Sequence, residues 1–432
     1  MICENIGVNG ANLTFAGVDT TALAKKYGTP LFLMDEDRVR FNLRLYQKAM
    51  KEAFGEGSFP LYASKANCFK RIYEIMKEEN MAIDLVSPGE IFTANKAGFP
   101  MERAFFHGNN KTDSDIAFAM ESSVGFFVVD NTNELKAINE TAKKKGIIQK
   151  VILRLSPGID PHTYAAVATG KVDSKFGVAI ETGQAALIVE ETLGYENIEL
   201  SGYHCHVGSQ VFDEEGDVYI NAATIMMSFA AEMKKKFGVE IKYLNMGGGF
   251  GVRYTENDPY MNIEANIKAL AKHISSLAEE LEIPMPCVLM EPGRSIVADA
   301  GMTLYSVGTI KEITGYKNYV SIDGGMTDNP RFALYGSKYT VLLANRMNEK
   351  SDFLCDIAGR CCESGDIIQP NVLIPKPVRN DIVAVCTTGA YNYSMASNYN
   401  RIPRPPVVML SQGKDYIAVK RESFENLTAL DV

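Results

Sequence analysis

Lys65 stands in Leu61-Tyr62-Ala63-Ser64-Lys65-Ala66-Asn67, directly after a short apolar run and before a helical stretch near Phe69. Buried strands of α/β proteins read as apolar and lysine strongly resists burial, so a lysine at such a strand end needs a reason. An ε-amine removed from water can form a Schiff base with an aldehyde cofactor such as pyridoxal phosphate. A solvated surface lysine would be spelled the same way, and residues further along the chain decide between the two. Met246-Gly247-Gly248-Gly249-Phe250-Gly251 ends another apolar run. Its glycines leave backbone N–H groups unshielded for an anion, or simply make a tight turn. Glu291-Pro292-Gly293-Arg294 ends a third. There a carboxylate could keep a pyridine nitrogen protonated and a guanidinium fork could grip a phosphate or carboxylate; a plain surface ion pair is the alternative.

Four further segments carry candidate functional groups. In His204-Cys205-His206-Val207-Gly208-Ser209-Gln210 the histidines share one face on a two-residue period, so a metal pair is conceivable. No matching Cys/His or acidic pair accompanies them, and a ring stacked on a flat cofactor, with Ser209 on its phosphate, is the better reading; no metal is expected. Cys361-Cys362-Glu363-Ser364-Gly365-Asp366 sets a thiol beside a carboxylate, suited to general acid or base work or else a structural cysteine at a turn. Arg331 and Tyr335, four apart, either bind a carboxylate or form a helical pair. Gly389-Ala390-Tyr391-Asn392-Tyr393-Ser394-Met395-Ala396-Ser397-Asn398-Tyr399-Asn400 is too polar and aromatic for a core strand and reads as a functional loop.

The elements that must position these residues follow from the pattern. Eight apolar runs alternate with amphipathic stretches: Leu61–Ser64, Met81–Val86, Ala104–His107, Gly125–Val129, Val151–Leu155, Leu200–His206, Ile241–Met246 and Cys287–Met290. Helices are predicted between them, as at Thr112–Glu121 and Asn131–Lys145. Eight repeats in one block predict an α/β fold, a closed (β/α)8 barrel of the TIM type, over an open doubly wound sheet, whose Gly-x-Gly-x-x-Gly opening is missing. Strand-like stretches then dominate: Met302–Ile313, Tyr319–Asp323, Tyr339–Ala344, Asp352–Ile357, Asp381–Thr387 and Val407–Val419, with a hairpin turn at Ser411–Asp415. The expected domains are residues 1–30, a segment packing with the β domain; 31–297, the barrel; and 298–432, a mostly β domain. In a barrel the strand ends Lys65, Asp84, His107, Arg154, His206, Gly247–Gly251 and Glu291–Arg294 meet on one face, where active sites form.

Composition excludes other classes. The 432 residues carry a net charge of −9 with no basic block, which argues against nucleic acid as partner. No run of about 18 apolar residues suggests a membrane span. The start, Met1-Ile2-Cys3-Glu4-Asn5, lacks a signal-peptide pattern. Eight cysteines without a CxxC pair suit neither a disulfide scaffold nor zinc, and a cytoplasmic location is expected.

Taken together, YASKAN at 62–67, HVGSQ at 206–210, GGGFG at 247–251, EPGR at 291–294, CESGD at 362–366 and GAYNYSMASNYN at 389–400 resemble the diaminopimelate decarboxylases. These belong to the fold-type III, alanine-racemase-like pyridoxal-phosphate enzymes. The motifs run in family order over about residues 30 to 405. The resemblance implies that Lys65 binds the cofactor covalently and His206 stacks on its ring. It implies that Ser209, Gly247, Gly248, Gly249 and the turn with Gly293 and Arg294 hold its phosphate, that Glu291 meets the pyridine nitrogen, and that Asp84 and Tyr391 also bind cofactor. Arg294, Arg331, Tyr335, Glu363 and Tyr391 would bind substrate, and Cys362 would be the catalytic acid, supplied across a homodimer. The implied reaction is decarboxylation of meso-2,6-diaminopimelate to L-lysine. Phe332 departs from an expected proline and Tyr164 from an expected histidine after His162-Thr163, which touches loop shape only. Sister decarboxylases acting on ornithine, arginine or a carboxylated polyamine need acidic groups at the far end of the substrate; Arg331 and Tyr335 beside Glu363 suit a carboxylate plus an ammonium instead. A racemase would need neither a thiol acid nor an arginine clamp. A non-catalytic relative would be expected to have lost Lys65, Cys362 and Glu363.

Overall fold

The structure, a computed structural model, describes residues 1–159, 173–213 and 216–432; Tyr164, with His162 and Thr163, lies outside the described residues. Every one of the eight apolar runs is a strand: β1 (Phe59–Ala63), β2 (Ala82–Leu85), β3 (Ala104–Phe106), β4 (Phe126–Val129), β5 (Gln149–Ser156), β6 (Ile198–His204), β7 (Tyr243–Asn245) and β8 (Cys287–Met290). Each pairs parallel with the next. β8 returns to β1 through Leu289↔Phe59 and Met290↔Pro60, which closes the ring. The helices between strands start and stop where side chains can satisfy their loose ends. Thr112 and Asp115 form a capping box for the helix Asp113–Glu121. Asn131 caps Thr132–Lys145, which ends on Gly146 in the left-handed region; each such cap is worth about 1 kcal/mol.

The barrel interior is plugged by side chains. Leu61, Phe105, Phe126, Ile152, Tyr243 and Leu289 form one buried cluster, with Phe105 and Phe126 stacked at 4.4 Å. Polar residues therefore have room only beyond the plug, at the carboxyl ends of the strands. Lys111, although buried, is structural. Its Nζ donates to Gly108 O (2.8 Å), Val128 O (2.8 Å) and Glu134 Oε1 (2.7 Å), so all three ammonium donors are met.

The chain divides into two compact units, and the boundaries differ from those expected at 30/31 and 297/298. Leu43–Gly251 with Met261–Gly293 make the barrel unit; Met1–Asn42, Val252–Tyr260 and Arg294–Val432 make the other. The reason lies in Leu31–Asp35, buried at every position. This strand pairs antiparallel with Gly301–Leu304 and parallel with Val407–Leu410, so it belongs to the second unit's sheet. That sheet orders Ile367–Ile374, Phe353–Ala358, Lys317–Ile322, Gly301–Ile313, Leu31–Asp35, Val407–Ser411 and Lys414–Val419. The hairpin turn falls at Gln412-Gly413, both with positive φ, as two-residue turns between strands require.

Candidate active site

Glu291 follows β8 and is approached by side chains from three other strand ends. Asn245 Nδ2, at the end of β7, donates to its Oε1 at 2.7 Å. His204 Nε2, at the end of β6, lies 3.1 Å from Oε2. His107 Nε2, just past β3, lies 3.0 Å from Oε1, off the line of a hydrogen bond. All four residues are buried. Burial pulls Glu291 up, but His107 and His204 outweigh it and hold the carboxyl well below its usual range. Burial lowers His204 to about 4, against the pull of Glu291, so it is a neutral imidazole donating Nε2–H. Asp84, at the end of β2, goes the other way. Burial pushes it up against the pull of His107, and Glu291 adds like-charge repulsion.

The donor atoms of His107, His204 and Glu291 lie within 4.8 Å of one another, a spacing a metal ion could use. Both carboxylate oxygens already have donors, and Lys65 and Arg154 add positive charge around the neighbouring His206. We read the set as a carboxylate held by donors. The paired use of His204 and His206 conceived from their spacing is not what the structure has: β6 ends at His204, and His206 turns to other partners. Its Nδ1 accepts the Gly248 N–H at 3.2 Å, leaving the proton on Nε2. Loss of water, then Lys65 and Arg154, push the ring well below its ordinary value, so it is flat, neutral and fixed.

The glycine loop differs from its expected role in part. Gly247 N–H is engaged by Asn245 Oδ1 (2.9 Å) and Gly248 N–H by His206, so neither is free for an anion. The glycines serve close approach as well. A Cβ on Gly248 would overlap Glu291 O, and Gly249 has φ 102°. Ser209 is half-buried in the following loop. Lys65 sits past β1 in the single turn Ser64–Ala66. It is exposed while both neighbours are buried, and the strand ends before it. Its charge is felt by Asp84, Glu90 and His206. A Cβ on Gly293 would meet Ala63 Cβ at 2.9 Å, so the β8 turn packs directly against the end of β1.

In the second unit, Tyr391 lies between two guanidinium groups. Arg294 is 4.8 Å and Arg331 5.1 Å from its ring centroid. Both arginines are buried, and Arg331 Nε has no hydrogen-bond partner. Arg294 Nη1 donates to Tyr254 OH at 2.7 Å, and Tyr339 meets Tyr254 edge-on at 5.4 Å. Arg331 and Tyr335 share a short helix and stack at 5.5 Å. Cys362 and Glu363 stand elsewhere, exposed on the turn before Ile367–Ile374. Cys362 N–H donates to Asn400 Oδ1 at 2.8 Å, and Asp366 holds the turn by accepting the N–H groups of Cys361 (2.7 Å) and Met326 (2.6 Å).

Sequence reasoning missed Asn245, Glu90, Tyr254 and Tyr339. Asn245 carried a signal, a polar residue closing the buried strand Tyr243-Leu244-Asn245. Glu90, raised by burial to about 7 with its Oε2 on Val86 N–H at 2.8 Å, reads as an ordinary first-turn helix acid. Tyr254 lies in a connecting segment with no pattern.

The barrel residues fit pyridoxal phosphate: an anionic, oriented Glu291, a flat His206, and a buried Asp84 Oδ1 without a partner. Residues 40–298 match the family model of the pyridoxal binding domain of pyridoxal-dependent decarboxylases. The chain is 42% identical to the diaminopimelate decarboxylase of Bacillus subtilis (strain 168), over 98% of this chain and 95% of that one. Among solved structures it is similar to the diaminopimelate decarboxylase of M. jannaschii in complex with L-lysine, with TM-score 0.90 and 33% identity over 99% and 98% of the two chains. It is also similar to that of Helicobacter pylori complexed with L-lysine, with TM-score 0.86 and 31% identity over 96% and 99%. The chain belongs to the diaminopimelate decarboxylase family of pyridoxal-phosphate enzymes.

Proposed function

We infer that the protein removes CO2 from meso-2,6-diaminopimelate and releases L-lysine, the last step of lysine biosynthesis. The observation that carries this reading is the pair of buried arginines, Arg294 and Arg331, flanking Tyr391. Two guanidinium forks suit a substrate with a second carboxylate; ornithine and arginine have none at the far end. The L-lysine complexes of the M. jannaschii and H. pylori relatives hold the product of that reaction.

When bound, pyridoxal phosphate supplies an electron sink for the pair left as the α-carboxylate departs. Lys65 is the amine that would hold it covalently. Glu291 would meet the pyridine nitrogen and favour its protonated form; Asp84, its carboxyl pushed up by burial, would also bind the cofactor, and His206 would stack on its ring. Ser209, Gly249, Gly293 and Arg294 would bind the phosphate, with Gly247 and Gly248 shaping the loop. Arg331, Tyr335 and Tyr391, with Arg294, would bind the distal carboxylate, and Glu363 the distal ammonium. Cys362 is the acid that returns a proton to the α-carbon. Its exposure on its own chain suits donation across the interface of a homodimer. All eight cysteines are free, in keeping with a reducing cytoplasm.

The test is the thiol. Cys362→Ala is expected to bind the cofactor normally and lose roughly 10²–10⁴ in kcat. Mixed with inactive Lys65→Ala under subunit exchange, it should recover about one quarter of parental activity, since half the dimers then hold one intact site. Near-normal turnover of Cys362→Ala would move the acid elsewhere, and no recovery on mixing would confine each site to one subunit.

A further inference from the structure

Glu291 is hydrogen-bonded from two strand ends, by Asn245 and His204, and a third, His107, sets its imidazole 3.0 Å away. Asn245 cannot be flipped: its Oδ1 accepts Gly247 N–H at 2.9 Å, which leaves Nδ2 facing Glu291 at 2.7 Å. His204 is wholly buried and its Nδ1 has no partner, so the one hydrogen bond of the ring is the contact from Nε2 to Glu291. The His107 and His204 rings meet edge to face at 5.1 Å, so each limits the other's rotation. A buried carboxylate stays ionised only when its lone pairs are met by donors, whereas the nearby Asp84 has a bare Oδ1. Two carboxylates close enough to repel resist ionising together, and the uneven supply of donors favours the charge on Glu291.

We propose that His107, His204 and Asn245 are positioning residues that together keep Glu291 ionised and aimed, so that the cofactor's pyridine nitrogen meets a fixed acceptor. This rests on the pyridoxal-phosphate reading above. The opposed directions of Glu291, held low, and Asp84, pushed up by burial, agree with it.

Three variants test the cradle in the full-length enzyme. His204→Leu removes one donor; His204→Gln keeps an N–H at the end of the side chain; Asn245→Asp is isosteric and places a second acid against Glu291 without opening a cavity. Apoenzyme is titrated with pyridoxal phosphate by absorbance, and kcat and KM are measured separately. His204→Leu and Asn245→Asp should each weaken cofactor binding by roughly 10–100-fold, the scale of losing an outer-shell partner. They should lower kcat with little change in KM, and His204→Gln should recover most of the loss. Cofactor affinity and kcat within about twofold of the parent in both His204→Leu and Asn245→Asp, while Glu291→Gln is impaired, would overturn the cradle and leave the family reading intact. A parent enzyme that fails to bind pyridoxal phosphate would overturn the reading beneath it.

Discussion

Burial pushes Asp328 up to about 7, although Tyr305 OH, the Gly325 N–H and Thr327 OH all bond its carboxyl. Glu291, equally buried, goes the opposite way because two imidazoles face it. Burial alone thus does not set the direction of a carboxyl group's shift; the groups that face it do. For Asp328 the folded value lies above the unfolded one, so the native state binds the extra proton and stability falls as pH rises from about 4 to about 7. A rise of about 3 pH units at ~1.4 kcal/mol each bounds the loss at ~4 kcal/mol. Asp328→Asn keeps the shape of the protonated acid. It should gain on the parent progressively as pH rises from about 4 to about 7 in urea unfolding and hold that gain above; a difference that does not change with pH would assign the charge elsewhere. None of this was legible in the sequence, where Asp328 is only the start of Asp-Asn-Pro-Arg. Lys65, Glu291 and Arg294 stood out in the sequence, because a charged residue closing an apolar run violates the pattern of its strand.

At the scale of elements, the barrel strands and several helix caps were readable because their signals are local: period, cap residue and glycine stop. Two strands of the second unit were not. Leu31–Asp35 is a fully buried apolar run, which looks like a barrel strand until its partners are known. Ile367–Ile374 contains Pro370, which counts against a strand, and it is tolerated because the strand lies at the sheet edge. The glycine loop after β7 was read as an anion cradle, but two of its N–H groups serve neighbours and its glycines allow backbone to meet backbone. Gly248→Ala, with its new methyl against Glu291 O, should therefore cost about 1–3 kcal/mol of stability and loosen the cofactor, both read by melting with and without pyridoxal phosphate. Unchanged cofactor retention would show that this close approach is dispensable.

For the molecule as a whole, fold and family were legible because six motifs occur in order along nearly the full chain. The unit boundaries were not, since residues 252–260 leave the barrel and Leu31–Asp35 joins a sheet formed some 270 residues later. Among the described residues no helix is long and apolar enough to cross a membrane. The chain's net charge of −9 gives no general pull on an acidic substrate, so the proposed recognition of a second carboxylate rests on local groups, Arg294 and Arg331. The most direct measurement is kcat/KM for CO2 release from meso-diaminopimelate, L-ornithine, L-arginine and L-lysine with the purified holoenzyme. A site whose buried arginines are met only by the dicarboxylate should prefer meso-diaminopimelate by roughly 10²–10⁴-fold. Comparable rates on ornithine would contradict the assignment.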